Sequence, residues 1–208
     1  MMQEEIDIMV DDLVKLLKGG MTAEDYQYFD SLMNHRTIIW NQEVDEAIVE
    51  RVILPLLRFE EDSSKDPVTL IFSTIGGSVS DGFVLCNIID NYTKPLNILV
   101  LGYAASMGTI ILAAGAHNPN VTRKCYPFSY SLLHAGSTSF SGESLTVQDT
   151  LEFNKKLDDK VRKFIITHTN ITEDEYTLHE RKQWFLDAED MKRYGFIDEI
   201  IGEEDDTK

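Results

Sequence analysis

Gly102–Ala116 reads GYAASMGTIILAAGA, an uncharged stretch of small and apolar residues with Ser106 near its middle. Two readings of that serine stand open. Small residues let packed elements approach closely, and a serine fits such a place by size alone. A hydroxyl at a turn between elements can also carry chemistry. The flanking residues set the fold. LNILVLG (Leu96–Gly102) is a β-prone apolar run that passes directly into a helix beginning near Ser106. VTLIFST (Val68–Thr74), a turn at Gly76-Gly77 and the helical VSDGFVLCNIIDNY (Val79–Tyr92) form the same unit one step earlier. The continuous apolar runs predict strands buried on both faces, and the strand–helix alternation predicts βαβ crossovers in a mostly parallel sheet, an α/β fold.

The rest of the chain extends this pattern. The apolar residues Ile6, Met9, Val10, Leu13, Leu16 and Leu17 recur at helical spacing and Gly19-Gly20 ends the run, predicting a helical arm over residues 1–36. After TIIW (Thr37–Trp40), Val44, Ile48, Val52, Ile53 and Leu56 predict an amphipathic helix that SSKDP breaks. Beyond a turn-rich loop, SYSLLHAG (Ser129–Gly136) predicts a strand ending at His134. Helices follow over Ser144–Thr169, Glu173–Lys182 and Asp187–Gly195. The domain reading is a helical arm over 1–36, one α/β domain over 37–201 and an acidic, disordered tail over 202–208.

Composition narrows the function. The 208 residues carry a formal net charge of −17, which disfavours nucleic acid and anionic lipid as partners. No charge occurs between Lys94 and Arg123, long enough for a membrane span, but Gly102, Gly108 and Gly115 interrupt it and a buried strand and helix is the reading. The two cysteines, Cys86 and Cys125, suggest no disulfide framework, and the N-terminus lacks a signal-peptide layout, so a cytoplasmic location is expected. No histidine pair has metal-ligand spacing, so no metal and no cofactor is expected.

Gly76-Gly77 and Ala105–Gly108 are both turns at the carboxyl end of a strand that open a helix. Free backbone N–H groups and the helix dipole favour negative charge at such turns. Two converging donors could hold an oxyanion, with a serine on the second turn as nucleophile. Of the five histidines, His35 and His117 read as surface residues and His168 as a capping or packing residue. His134, at the end of a core strand, is the candidate base, with a satisfied core histidine as the alternative.

IGGSVSDG (Ile75–Gly82), GYAASMGTIILAAGA and SYSLLH (Ser129–His134), with His168-Thr169 and the closing WFLDAEDMKRYGFIDEI, together resemble the Clp protease proteolytic subunit over about Thr37–Ile201. That resemblance implies the ClpP/crotonase βαβ spiral with a handle helix, here carrying an extra N-terminal arm. It implies a serine endopeptidase that hydrolyses unfolded polypeptides inside a homo-oligomeric ring, a tetradecamer in the family. It places the nucleophile on Ser106, the base on His134 and the oxyanion amides on Gly77 and Met107. The family's aspartate, six residues before Phe185, falls on His179. A slipped register would offer Asp174, Glu175 or Glu180 instead, or the third member is absent. The docking-cleft tyrosines correspond to Thr69 and Ile71, which weakens the expectation of an AAA+ unfoldase partner. Two rival readings are a ring subunit with a degenerate triad and a crotonase-type acyl-CoA enzyme.

Overall fold

The computed structural model describes residues 31–136 and 144–203. The chain divides into two units, Met1–Thr37 and Ile38–Lys208. The helix expected over Ile6–Lys18 and the tail beyond residue 203 lie outside the described residues.

Strands β1 (Thr37–Trp40), β2 (Val68–Thr74), β3 (Leu96–Ala105), β4 (Val121–Cys125) and β7 (Glu199–Ile200) lie side by side in that order. Strand β5 (Tyr130–Leu133) pairs with β3, and β6 (Trp184–Asp187) pairs with β5. The β2–β3, β3–β4, β3–β5 and β4–β7 pairings are parallel, and β5–β6 is antiparallel. The mostly parallel α/β sheet expected from the alternation is present.

Strand β3 serves two partners in succession. Leu96–Val100 pair with Val121–Cys125 of β4, whereas Tyr103–Ala105 pair with Tyr130–Leu132 of β5. The fork falls at Leu101-Gly102. There β3 also slips against β2: Phe72 faces Val100 but Thr74 faces Ala104. Two extra residues in β3 form a bulge that re-aims its last turn.

Several elements differ from the sequence reading. Strand β4 lies within the supposed loop, and β6 and β7 were not anticipated. The alternating VTRKC of β4 buries Val121, Arg123 and Cys125, so one of its inward positions is a charge. Strand β2 alternates between buried residues (Val68, Leu70, Phe72, Thr74) and half-buried ones, so only one of its faces is fully covered. In the expected amphipathic helix, Val44, Ile48, Val52, Ile53 and Leu56 are all buried. Val44, however, lies before the helix in an isolated bridge, and Val49–Ile53 is a π-turn leading into α1 (Leu54–Glu61). The Leu54 N–H donates to the Val49 carbonyl, five residues back. Pro55 follows, with no N–H to offer the preceding turn, which is where a widened turn is tolerated.

Helix α2 (Val79–Asp90) follows β2, and α3 (Met107–Ala113) follows β3. Every residue of α3 is buried, which explains its uninterrupted apolar sequence. The glycines set the spacing: a Cβ on Gly82 would meet the Met107 side chain at 2.4 Å, and one on Gly108 would meet Thr74 Cγ2 at 2.5 Å. The C-terminal third comprises α4 (Ser144–His168), α5 (Glu173–His179) and α6 (Ala188–Arg193). No helix among the described residues is long and apolar enough to cross a membrane.

Candidate active site

Two strand–turn–helix junctions meet at the site, and their serines behave differently. Ser78 caps α2 in the usual way, with φ −60°, ψ 120° and its side chain accepting a hydrogen bond from the Asp81 N–H at 3.3 Å. Ser106 caps α3 with φ 55° and ψ −121°, and its side chain makes no capping bond. A positive φ is costly for a residue with a Cβ, by about 1–3 kcal/mol. The hydroxyl makes no bond to the helix terminus and is uncommitted among the described residues.

The main chain holds Ser106 in that conformation. Its N–H donates to the Leu132 carbonyl at 2.7 Å, continuing the β3–β5 pairing one residue beyond Ala105. The buried Thr109 hydroxyl reaches the Ala104 carbonyl at 2.7 Å and the Leu132 carbonyl at 2.9 Å. Through the Leu132 carbonyl, the Ser106 N–H and the Thr109 hydroxyl bind the serine turn to the strand that ends just before His134.

The Gly76-Gly77 turn packs against the same serine. Gly76 and Gly77 have φ of 97° and 146°, a region that favours glycine. A Cβ on Gly76 would lie 2.6 Å from both the Ala105 carbonyl oxygen and Ser106 Cβ. The Thr74 hydroxyl braces the turn, donating to the Gln42 carbonyl at 2.6 Å and accepting from the Gly76 N–H at 3.1 Å. Val44 completes the brace: its N–H donates to the Gly76 carbonyl, and its carbonyl accepts from the Ser78 N–H, each at 2.7 Å. Gly76 C=O and Ser78 N–H therefore face Val44, and the Gly77 N–H between them faces the opposite way. Among the described residues, neither the Gly77 nor the Met107 N–H donates a hydrogen bond.

A cleft of about 290 Å³ opens beside Ser106. Ser106, Met107, His134 and His179 all line it, with Trp184 and Arg162 on its wall. His134 is exposed, directly after β5, and its Nδ1 lies 2.8 Å from the Ala135 carbonyl oxygen. The His179 ring lies flat on Trp184, with centroids 4.0 Å apart and planes 16° apart. No hydrogen bond joins Ser106 to His134, or His134 to His179, among the described residues.

Of the acids of a slipped register, Glu180 and Glu175 are engaged elsewhere and Asp174 is exposed. Glu180 accepts from Arg162 at 2.8 Å. Glu175 closes a capping box with Thr172, whose N–H and hydroxyl hold its carboxyl below the usual range. Asp174 is exposed in the first turn of α5. Arg162 also bonds Glu173 and Thr177, and the Glu173 contact holds its guanidinium above its ordinary value, tying α5 to α4.

The remaining histidines lie outside the cleft. His35 and His117 are exposed, and His168 stacks on Phe164 at 3.8 Å with Nε2 3.2 Å from Asp90. No group of three or more metal-ligating side chains occurs among the described residues.

A model of the Clp protease family matches residues 20–204. The chain belongs to the Clp protease family. The match begins before Thr37, where the motif resemblance starts, and includes the whole described sheet. Membership makes the chain a ClpP-like peptidase in general terms, and the parallel sheet with its covering helices agrees with the ClpP fold. Of the Clp protease motifs quoted from the sequence, GYAASMGTIILAAGA and SYSLLH supply Ser106 and His134 to the cleft, and IGGSVSDG packs its glycine turn against Ser106. Trp184 and Arg162 were not singled out in sequence. Their places in the cleft depend on the antiparallel Leu133–Trp184 pairing and on the packing of α4 with α5, neither of which leaves a local pattern.

Proposed function

We propose that the protein is a serine endopeptidase acting on unfolded polypeptides. Ser106 Oγ attacks the scissile carbonyl carbon while His134 removes the hydroxyl proton. The Gly77 and Met107 N–H groups receive the developing oxyanion, where one such donor is worth about 3 kcal/mol of barrier. His134 then protonates the leaving amine, and water hydrolyses the acyl-serine. The observation that carries this reading is Ser106 itself, held at φ 55° with a hydroxyl that has no partner among the described residues, while its own N–H is fixed on the Leu132 carbonyl. A homo-oligomeric ring enclosing the sites fits family membership, and the two buried free thiols suit a reducing, cytoplasmic setting.

The test is labelling by a fluorophosphonate together with cleavage of unfolded casein. Wild type should do both, and Ser106→Ala and His134→Ala neither. Cleavage that survives Ser106→Ala refutes the assignment. A second reading, a ring subunit with an impaired site, draws on the missing His134–His179 hydrogen bond and on the histidine standing in the acid's place. A wild-type protein that assembles but resists the label would favour it.

A further inference from the structure

A general base needs its ring held in one tautomer, and in most serine peptidases a carboxylate does this. The carboxylates considered from sequence are committed to Arg162 or Thr172, or exposed at the start of α5. His179 rests on Trp184, which also meets Tyr194 edge-on at 5.2 Å. The polar group at His134 Nδ1 is instead the Ala135 carbonyl oxygen, at 2.8 Å. A carbonyl oxygen can only accept, so in the neutral ring Nδ1 must carry the proton of this contact, which leaves the Nε2 lone pair free. That is the tautomer needed to take a proton from Ser106.

We propose that the Ala135 main-chain carbonyl positions His134, so that Ser106 and His134 work as a dyad to which His179 contributes no hydrogen bond. This rests on the reading of Ser106 and His134 as the catalytic pair. As the Ser106 Oγ–carbon bond forms, Nε2 takes the hydroxyl proton, and Nδ1–H stays on the Ala135 oxygen throughout. The proton on Nε2 passes to the amine nitrogen as the peptide C–N bond breaks. The carbonyl supplies orientation and a dipole but no full negative charge. Alternation of the chain explains why this oxygen is available: β5 ends at Leu133, and Ala135 belongs to no strand that would use it.

A carboxylate close to this loop is Asp158 on α4, whose Oδ1 lies 3.9 Å from where a Cβ on Gly136 would be. It is therefore included in the test. Three variants are compared with wild type by rate of fluorophosphonate labelling: His179→Phe, which keeps a flat ring for Trp184, His179→Gln, and Asp158→Asn. Each should label within tenfold of wild type, whereas loss of a third triad member costs up to about 10⁴-fold. A drop of tenfold or more in His179→Phe or Asp158→Asn overturns the proposal. Independently of folding in any variant at those positions, ¹⁵N–¹H correlation spectra of histidine-labelled wild type at alkaline pH report the tautomer. The His134 signal is assigned by its absence from His134→Gln. A protonated Nδ1 and a bare Nε2 are expected, and the reverse tautomer, favoured by imidazole free in water, overturns the proposal. If wild-type Ser106 takes no label, the peptidase reading fails, and the tautomer spectrum still decides the Ala135 contact.

Discussion

Gly76 and Ser106 are packed so closely that a Cβ on the glycine would lie 2.6 Å from the Cβ of the serine. The two strand-end turns are thereby one unit, in which the first fixes where the second can be. Gly76→Ala must combine φ 97° with that clash, and should cost about 3 kcal/mol in urea denaturation and abolish labelling of Ser106. Gly102→Ala is the control, because a Cβ there meets nothing within 4 Å. It should change stability by less than about 0.5 kcal/mol. Equal effects of the two substitutions would refute the close approach.

Ser106 stores backbone strain where its hydroxyl is presented. Ser106→Gly should remove that strain and raise stability by about 1 kcal/mol, net of glycine's greater flexibility when unfolded. Ser106→Ala keeps the Cβ at φ 55° and should leave stability within about 0.5 kcal/mol. Thermal melts of the two, both inactive, separate strain from chemistry. A glycine variant less stable than the alanine variant would contradict it.

Arg123 is a charge inside the fold, with its side chain 4% exposed. Asp198 meets it twice, Oδ1 at 2.6 Å from Nη2 and Oδ2 at 3.1 Å from Nε, and the Gly195 carbonyl accepts from Nη1 at 2.8 Å. Asp198→Ala leaves the guanidinium buried without its carboxylate and should destabilise by about 3 kcal/mol. Chemical denaturation of the variant measures it, and a change below 1 kcal/mol would count against the pair.

Both thiols are inert by position. Burial, with Glu203 and Glu189 nearby, pushes the Cys125 thiol up to about 11, and burial pushes Cys86 well above its ordinary value. In native protein at pH 8, Cys125 should react with iodoacetamide about a hundredfold more slowly than after unfolding. The sign for stability follows. The unfolded chain ionises first as pH rises past about 9, so both cysteines lower stability above that pH. Rapid alkylation of the native protein at pH 8 would overturn this.

The repeated strand–turn–helix unit was legible because β2 and β3 are apolar runs followed by small-residue turns. The chain around β4 was not. Arg123 and Lys124 make VTRKC read as loop, and what permits a strand there is Asp198, 75 residues later. The site divides the same way. Ser106, His134 and the two glycine turns lie within recognisable motifs, whereas counting back from Phe185 gives a residue for the third position but not its hydrogen bonds. A main-chain oxygen has no sequence signature at all, so only the folded chain reveals the partner of His134 Nδ1.

The fork in β3 at Leu101-Gly102 has a mechanical consequence. The lower half of the strand is laced into β2 and β4, but its last turn, with β5 and β6, is joined to β2 through little more than Thr74 and Ala104. The hydrogen-bond ladder is thus thinnest between the half that gives the fold its strength and the half that bears Ser106 and His134. Two cooperative units should emerge in native-state amide exchange, with Tyr103–Ala105 and Tyr130–Leu133 opening at lower free energy than Leu96–Val100. A ridge of weak coupling at that point lets the cleft loosen while the remainder stays folded.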